Sequence, residues 1–216
     1  MFFYLFENKS LSVCTCAKCG STSLFMTLYY AITGSNFTRP LIIHKYWLWG
    51  VQNVKPSNHY GDLHLIMTRD PVERYVSTYH SKIKCCEDNV TRCYNDLTDN
   101  LAPKLLNIAG FPSKRCMNFE EYVVVLEKIH KVNKVTLMNE HFLPQHLACP
   151  IPQLTPTLVF DVSMADKFFS RLRGYGMHPV QFYHEHSTPR PQEVDTTRLR
   201  ELARKEYEFV DTLAAH

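Results

Sequence analysis

The sequence predicts an α/β fold, a three-layer domain with a central mainly parallel sheet flanked by helices. Two observations carry this. Short apolar runs of strand length alternate with segments whose apolar residues recur at helical spacing. At two places the chain passes from such a run straight into a helix start, once through Lys18 to Ser23 and once through Arg69 to Pro71. Alternation of this kind is the pattern of parallel strands joined by helical crossovers. With 216 residues, 45% of them hydrophobic, the chain can bury a sizeable core. That length is too short to suggest two domains, so a single domain over residues 1–216 is expected.

At the N-terminus, Met1 to Phe6 are apolar, but Glu7, Asn8 and Lys9 interrupt them. The run is too short for a membrane span or a secretory core segment. The expectation is no membrane span in this chain, which is then either a soluble intracellular protein or a luminal domain lacking its anchor. Leu11 and Val13, with the small sulfur residues Cys14 and Cys16, read as a short buried strand. Lys18-Cys19-Gly20-Ser21-Thr22-Ser23 then supplies a charge, a flexible turn and hydroxyls at a helix start. The first N–H groups of a helix have no intrahelical partner, and the aligned peptide dipoles place partial positive charge there, so such a start binds anions. Gly20 lets backbone approach a phosphate closely, Lys18 adds a mobile point charge, and Ser21, Thr22 and Ser23 add donors. The competing reading of the same residues is a capped helix with a lysine beside it.

Leu24, Phe25, Leu28, Tyr29 and Ile32 recur at helical spacing, which predicts a helix over 21–33 ending near Gly34. Residues 41–47 read as a strand or extended segment whose titratable group, His44, is either a general base or a hydrogen-bonded core histidine. Residues 63–79 read as a strand followed by a helix with Pro71 in its first turn, where a missing N–H costs nothing. Arg69 stands at the carboxyl end of that strand, where open α/β sheets bind ligands, and Ser77 stands on the helix. An arginine fork with a hydroxyl suits a terminal phosphate monoester; the alternative makes Arg69 and Arg74 salt-bridge partners of Asp70 and Glu73. Further on, 119–129 reads as an amphipathic helix, 157–162 as a buried strand, 165–172 as a helix ended near Gly174, and 196–213 as a terminal helix. A loop around Pro189, Arg190 and Pro191 precedes the last of these.

The net charge of +3, from 24 basic and 21 acidic residues, is too balanced for a nucleic-acid-coating protein, and no nucleic acid is expected as partner. Of the eight cysteines, Cys14, Cys16 and Cys19 crowd the first turn, Cys85, Cys86, Cys93 and Cys116 punctuate a polar middle region, and Cys149 follows. No Cys or His pair follows the first group at finger spacing, which argues against zinc. The middle group forms disulfides in an oxidising compartment or stays reduced in a cytosol, with connectivity open.

Together these stretches resemble the sulfotransferases that use 3′-phosphoadenosine 5′-phosphosulfate (PAPS), and most closely the carbohydrate, Golgi-type branch. Residues Lys18 to Leu24 look like that family's 5′-phosphosulfate loop (K-x-G-S/T-S/T-x-L/F), and residues Arg69 to Tyr79 like its 3′-phosphate motif (R-D/N-P-x-x-R-x-x-S-x-Y). Met117 to Val123 resemble the family's Phe-Glu-rich helix start, and Asn139 to Gln145 followed by Cys149 its N-x-H-W/F-x-P-Q segment. His184 to Thr188 resemble its late H-x-N-x-S/T stretch, and Tyr207 to Asp211 its closing helix. Two departures stand out: Ala17 where many members have proline, and His186 where asparagine is usual.

The resemblance implies a P-loop-like sulfotransferase fold, PAPS as sulfuryl donor with 3′-phosphoadenosine 5′-phosphate (PAP) as product, and no required metal. It implies that Lys18 neutralises charge on the leaving bridging oxygen, that Cys19, Gly20, Ser21, Thr22 and Ser23 hold the 5′-phosphosulfate, that Arg69 and Ser77 grip the 3′-phosphate, and that Ser187 contacts the cofactor. His44 occupies a position similar to the catalytic histidine of the uronyl 2-O-sulfotransferases, with His141 and Glu140 as alternatives. The compartment stays open between the cytoplasm and the Golgi lumen. The acceptor implied is a carbohydrate hydroxyl; a small alcohol, phenol or amine, or a non-catalytic member binding nucleotide or glycan, stays open. A nucleoside-triphosphate-dependent phosphotransferase fits less well, because the Walker pattern is absent and Lys18 precedes Gly20.

Overall fold

The computed structural model describes residues 2–6, 11–37, 51–52, 63–84, 101–113, 116–149, 157–170, 178, 181–182 and 195–214. They belong to two compact units, one of Met1–Arg69, Gln145–Ser187 and Val210–His216, the other of Asp70–Pro144 and Thr188–Phe209.

The first unit is built on a five-stranded sheet of order β3-β1-β2-β4-β5, from β1 (Phe2–Phe6), β2 (Leu11–Thr15), β3 (Val51–Gln52), β4 (Leu63–Thr68) and β5 (Thr157–Asp161). β2, β4 and β5 run parallel, in registers such as Val13↔Leu65 and Met67↔Phe160. β1 pairs antiparallel with both β2 and β3, so the apolar N-terminal run is a strand that extends the parallel part of the sheet.

Successive strand residues point to opposite faces. One set, Val13, Leu65, Met67 and Phe160, packs with Leu24, Phe25 and Leu28 of α1 (Ser21–Thr33) and with Ala165 and Phe169 of α6 (Ala165–Phe169). The alternate residues Ser12, Cys14, His64 and Ile66 are also buried. On that side Ser12 Oγ lies 2.7 Å from His64 Nδ1, and burial lowers the imidazole to about 4, which keeps it neutral at physiological pH. Cys14 is disulfide-bonded to Cys149, directly after the short α5 (Gln145–Ala148). This bond ties α5 to the face opposite α1, so helices flank the sheet on both sides, as the alternation of runs predicts. The helix expected over 165–172 ends at Phe169, and residues 171–177 lie outside the described residues.

The second unit is helical. α2 (Pro71–Lys82), α3 (Ala102–Ala109), α4 (Phe119–Lys131) and α7 (Thr197–Leu202) enclose a core that includes Tyr75, Tyr79, Leu105, Tyr122, Leu126, Phe142 and Leu199. Each long helix starts where its sequence allows. Asp70 caps α2, its carboxylate accepting the Glu73 N–H at 2.9 Å, with Pro71 behind it. Asn118 and Glu121 form a reciprocal capping box on α4. Arg74 is wholly buried, its Nη2 donating to both carboxylate oxygens of Glu206 at 3.1 and 3.2 Å and its Nη1 to the His141 carbonyl at 3.2 Å. The structure therefore corrects the pairing of Arg74 with Asp70 or Glu73: Asp70 is engaged by the α2 N-terminus and by the Tyr207 hydroxyl at 2.7 Å. The expected terminal helix is divided at Ala203 into α7 and α8 (Arg204–Ala214).

No helix among the described residues is long and apolar enough to cross a membrane. The segments expected at 41–47 and around Pro189 to Pro191 lie outside the described residues.

Candidate functional site

The turn between β2 and α1 carries the candidate residues of the first motif. Its geometry follows from three constraints. Cys19 N–H donates to the Cys16 carbonyl at 3.2 Å, and Cys16 and Cys19 are joined as a disulfide. Lys18 sits between them in the left-handed region, at φ +66°, a conformation that costs a non-glycine residue on the order of 1 kcal/mol or more and persists only when neighbours enforce it. Gly20 ends the turn at φ +80°, and a Cβ on it would meet Val162 Cγ2 at 2.8 Å, so a side chain there is strained by conformation and forces Val162 to shift.

Beyond Gly20 the chain enters α1 with no side-chain cap and no acidic residue in the first turn. α2 and α4, by contrast, both carry a side-chain cap and a glutamate there. The α1 terminus thus has no carboxylate in its own first turn to offset the partial positive charge of its N–H groups. Ser21 and Ser23 are buried and Thr22 half-buried along that first turn.

Arg69 follows β4 directly, at the carboxyl end of the parallel strands, as its place in the sequence predicts. Its Nη1 donates to the Lys18 carbonyl at 3.1 Å. Lys18, Cys19, Gly20, Ser21, Thr22, Ser23 and Arg69 are therefore brought together at one end of the sheet, two cations beside an uncapped helix start. What such an arrangement can do is hold a doubly anionic ligand and stabilise charge on an oxygen leaving it.

A profile of the sulfotransferase family matches residues 2–168, a stretch that includes both the Lys18 turn and the Arg69 strand end. The chain belongs to the sulfotransferase family. No curated protein and no solved structure matches it. Membership makes this sulfotransferase-family chain a transferase and supports sulfuryl transfer, and the mixed α/β sheet flanked by helices is consistent with that family.

The remaining candidates belong to the second unit or lie outside the described residues. Ser77 is on α2 in the second unit, with 3% exposure. His141, in the same unit, has its Nδ1 2.6 Å from Asn139 Oδ1, while its carbonyl accepts from Arg74 and from the Thr78 hydroxyl at 3.1 Å. These are the contacts of a segment that fixes backbone. His44 and Ser187 lie outside the described residues. One residue with a place at the turn carries no role in the sequence reading: Gln145, which contacts Arg69, Cys16 and Cys19. Its only sequence signal is its position after Pro144 in the N-x-H-W/F-x-P-Q-like segment.

Proposed function

We propose that this chain is a PAPS-dependent sulfotransferase, one domain over residues 1–216, transferring the sulfuryl group to an acceptor hydroxyl of a carbohydrate, in the manner of the uronyl 2-O branch. The observation that carries the reading is the bond from Arg69 to the Lys18 carbonyl, which couples the two anion-directed motifs at one end of the sheet. The donor residues fit the nucleotide they are assigned: an uncapped helix start for a sulfated phosphate, and an arginine fork for a phosphate monoester.

PAPS, when bound, supplies an activated sulfuryl group whose transfer, like phosphoryl transfer, depends on in-line positioning and charge stabilisation. Lys18 would neutralise the charge developing on the bridging oxygen. The backbone from Cys19 to Ser21 and the hydroxyls of Ser21, Thr22 and Ser23 hold the 5′ end, with Arg69 and Ser77 assigned to the 3′-phosphate and Ser187 to a late cofactor contact. His44 is assigned as the base that takes the acceptor proton, a task suited to a group titrating near neutrality. The Cys14–Cys149 disulfide supports an oxidising compartment such as the Golgi lumen over a cytosol.

Calorimetric titration with PAP, ATP and ADP tests the donor before the acceptor is known. The expected outcome is binding of PAP, weakened at least about tenfold by Arg69→Ala, which corresponds to the loss of one charge-assisted contact. Preference for ATP, or no nucleotide binding by folded protein, overturns the reading. With the donor established, labelled PAPS against glycan, phenol, alcohol and amine acceptors identifies the acceptor class.

A further inference from the structure

We propose that Gln145 is a positioning residue for the donor site, holding Arg69 and the Lys18 turn in one fixed register; this rests on the donor reading above. β4 leaves the ladder at Thr68, its last residue paired with β5, and the backbone groups of Arg69 are taken up instead by a side chain. Gln145 Nε2 donates to the Arg69 carbonyl at 2.8 Å, and Gln145 Oε1 accepts the Arg69 N–H at 3.0 Å. One carboxamide thus meets both polar groups of one residue, as a neighbouring strand would.

The same oxygen lies 3.6 and 3.5 Å from the sulfurs of Cys16 and Cys19, the disulfide that closes the turn around Lys18. Gln145 accordingly touches both sides of the Arg69–Lys18 bond. Its own position is set from two directions: its carbonyl accepts the Cys149 N–H at 2.8 Å, and Cys149 is bonded to Cys14 on β2. With 2% exposure the amide has no solvent to exchange with, so its hydrogen bonds are committed to this geometry.

The chemistry requires glutamine. Glutamate keeps the acceptor, has no donor at neutral pH and adds a negative charge beside the anion site. Methionine keeps the length and loses both bonds. Asparagine is one methylene short.

Discrimination between PAP and adenosine 5′-monophosphate measures where the Arg69 guanidinium sits, because the two ligands differ in the 3′-phosphate. Affinities for both are measured by calorimetry in wild type, Gln145→Glu, Gln145→Met, Arg69→Ala and the double variant Arg69→Ala with Gln145→Met. The expected result is a fall of about tenfold or more in the affinity ratio in both Gln145 variants, and no further fall when Gln145→Met is added to Arg69→Ala, the non-additivity of residues that act through one another. The ratio is independent of the folded fraction, which the titration stoichiometry reports separately. If wild type and Arg69→Ala differ in the ratio while the Gln145 variants keep the wild-type value, the positioning role is wrong and the donor reading stands. If wild type binds no PAP, or Arg69→Ala leaves its ratio unchanged, the donor reading fails and this inference falls with it.

Discussion

Arg74 is a full positive charge with no exposure, and what makes that tolerable is the Glu206 carboxylate, itself 3% exposed, at 3.1 Å. Burying two charges is expensive, and the pair offsets that cost only as a pair; removing one partner strands the other. Glu206→Gln is therefore expected to cost about 3–5 kcal/mol, read as a shift in the urea midpoint with unchanged slope. Replacing both partners, Arg74→Met with Glu206→Leu, should recover most of it. A Glu206→Gln protein as stable as wild type would sink the argument. The arginine was legible in the sequence as a member of an ion pair, but its partner was not. Glu206 is 132 residues away and, in a helix of alternating charge, reads as a solvent-facing side chain. The same holds for Gln145, whose contact with Arg69 spans 76 residues. Lys18 to Ser23 and Arg69 were legible because their chemistry is concentrated where strand passes into helix, a place recognisable from neighbours in sequence alone.

At the scale of elements, α1 shows what local punctuation can and cannot specify. Its bounds, Ser21–Thr33, follow from apolar spacing between Gly20 and Gly34, both left-handed in the structure. Gly20 carries more than a boundary, since a methyl there meets Val162 Cγ2 at 2.8 Å. Gly20→Ala should cost about 1–3 kcal/mol in thermal unfolding and weaken PAP binding, with the helical circular dichroism of α1 retained. Stability and binding equal to wild type would show that the turn adapts and that the glycine is incidental. β1 and α3 are among the elements that were not legible. β1 reads only as an apolar run, because its strand character depends on pairing with β2 and β3. α3 is too short, at 8 residues, for its period to rise above a polar background. The division at Ala203 was hidden for a different reason: residues 200–205 contain no glycine or proline, and the interruption accompanies an N–H of Glu206 turned to the Ala203 carbonyl at 2.8 Å.

For the molecule as a whole, the Cys14–Cys149 bond joins positions separated by 135 residues. Cross-linking so distant a pair restricts the unfolded chain strongly, and loss of the bond in a Cys14→Ser, Cys149→Ser variant should lower stability by about 5 kcal/mol on the chain-entropy estimate. Chemical denaturation of the variant beside wild type measures this, and a difference under about 1 kcal/mol would mean that the unfolded ensemble is already constrained there. The bond also sets an order of events in biosynthesis. At the usual pace of translation, Cys149 is added on the order of ten to thirty seconds after Cys14. Throughout that interval Cys16 and Cys19 are the nearest thiols to Cys14 along the chain. An early pairing of Cys14 with either of them has to be reversed by thiol–disulfide exchange before the native bond can close. The yield of active protein from a given host should therefore depend on the isomerase capacity of the compartment in which the chain matures.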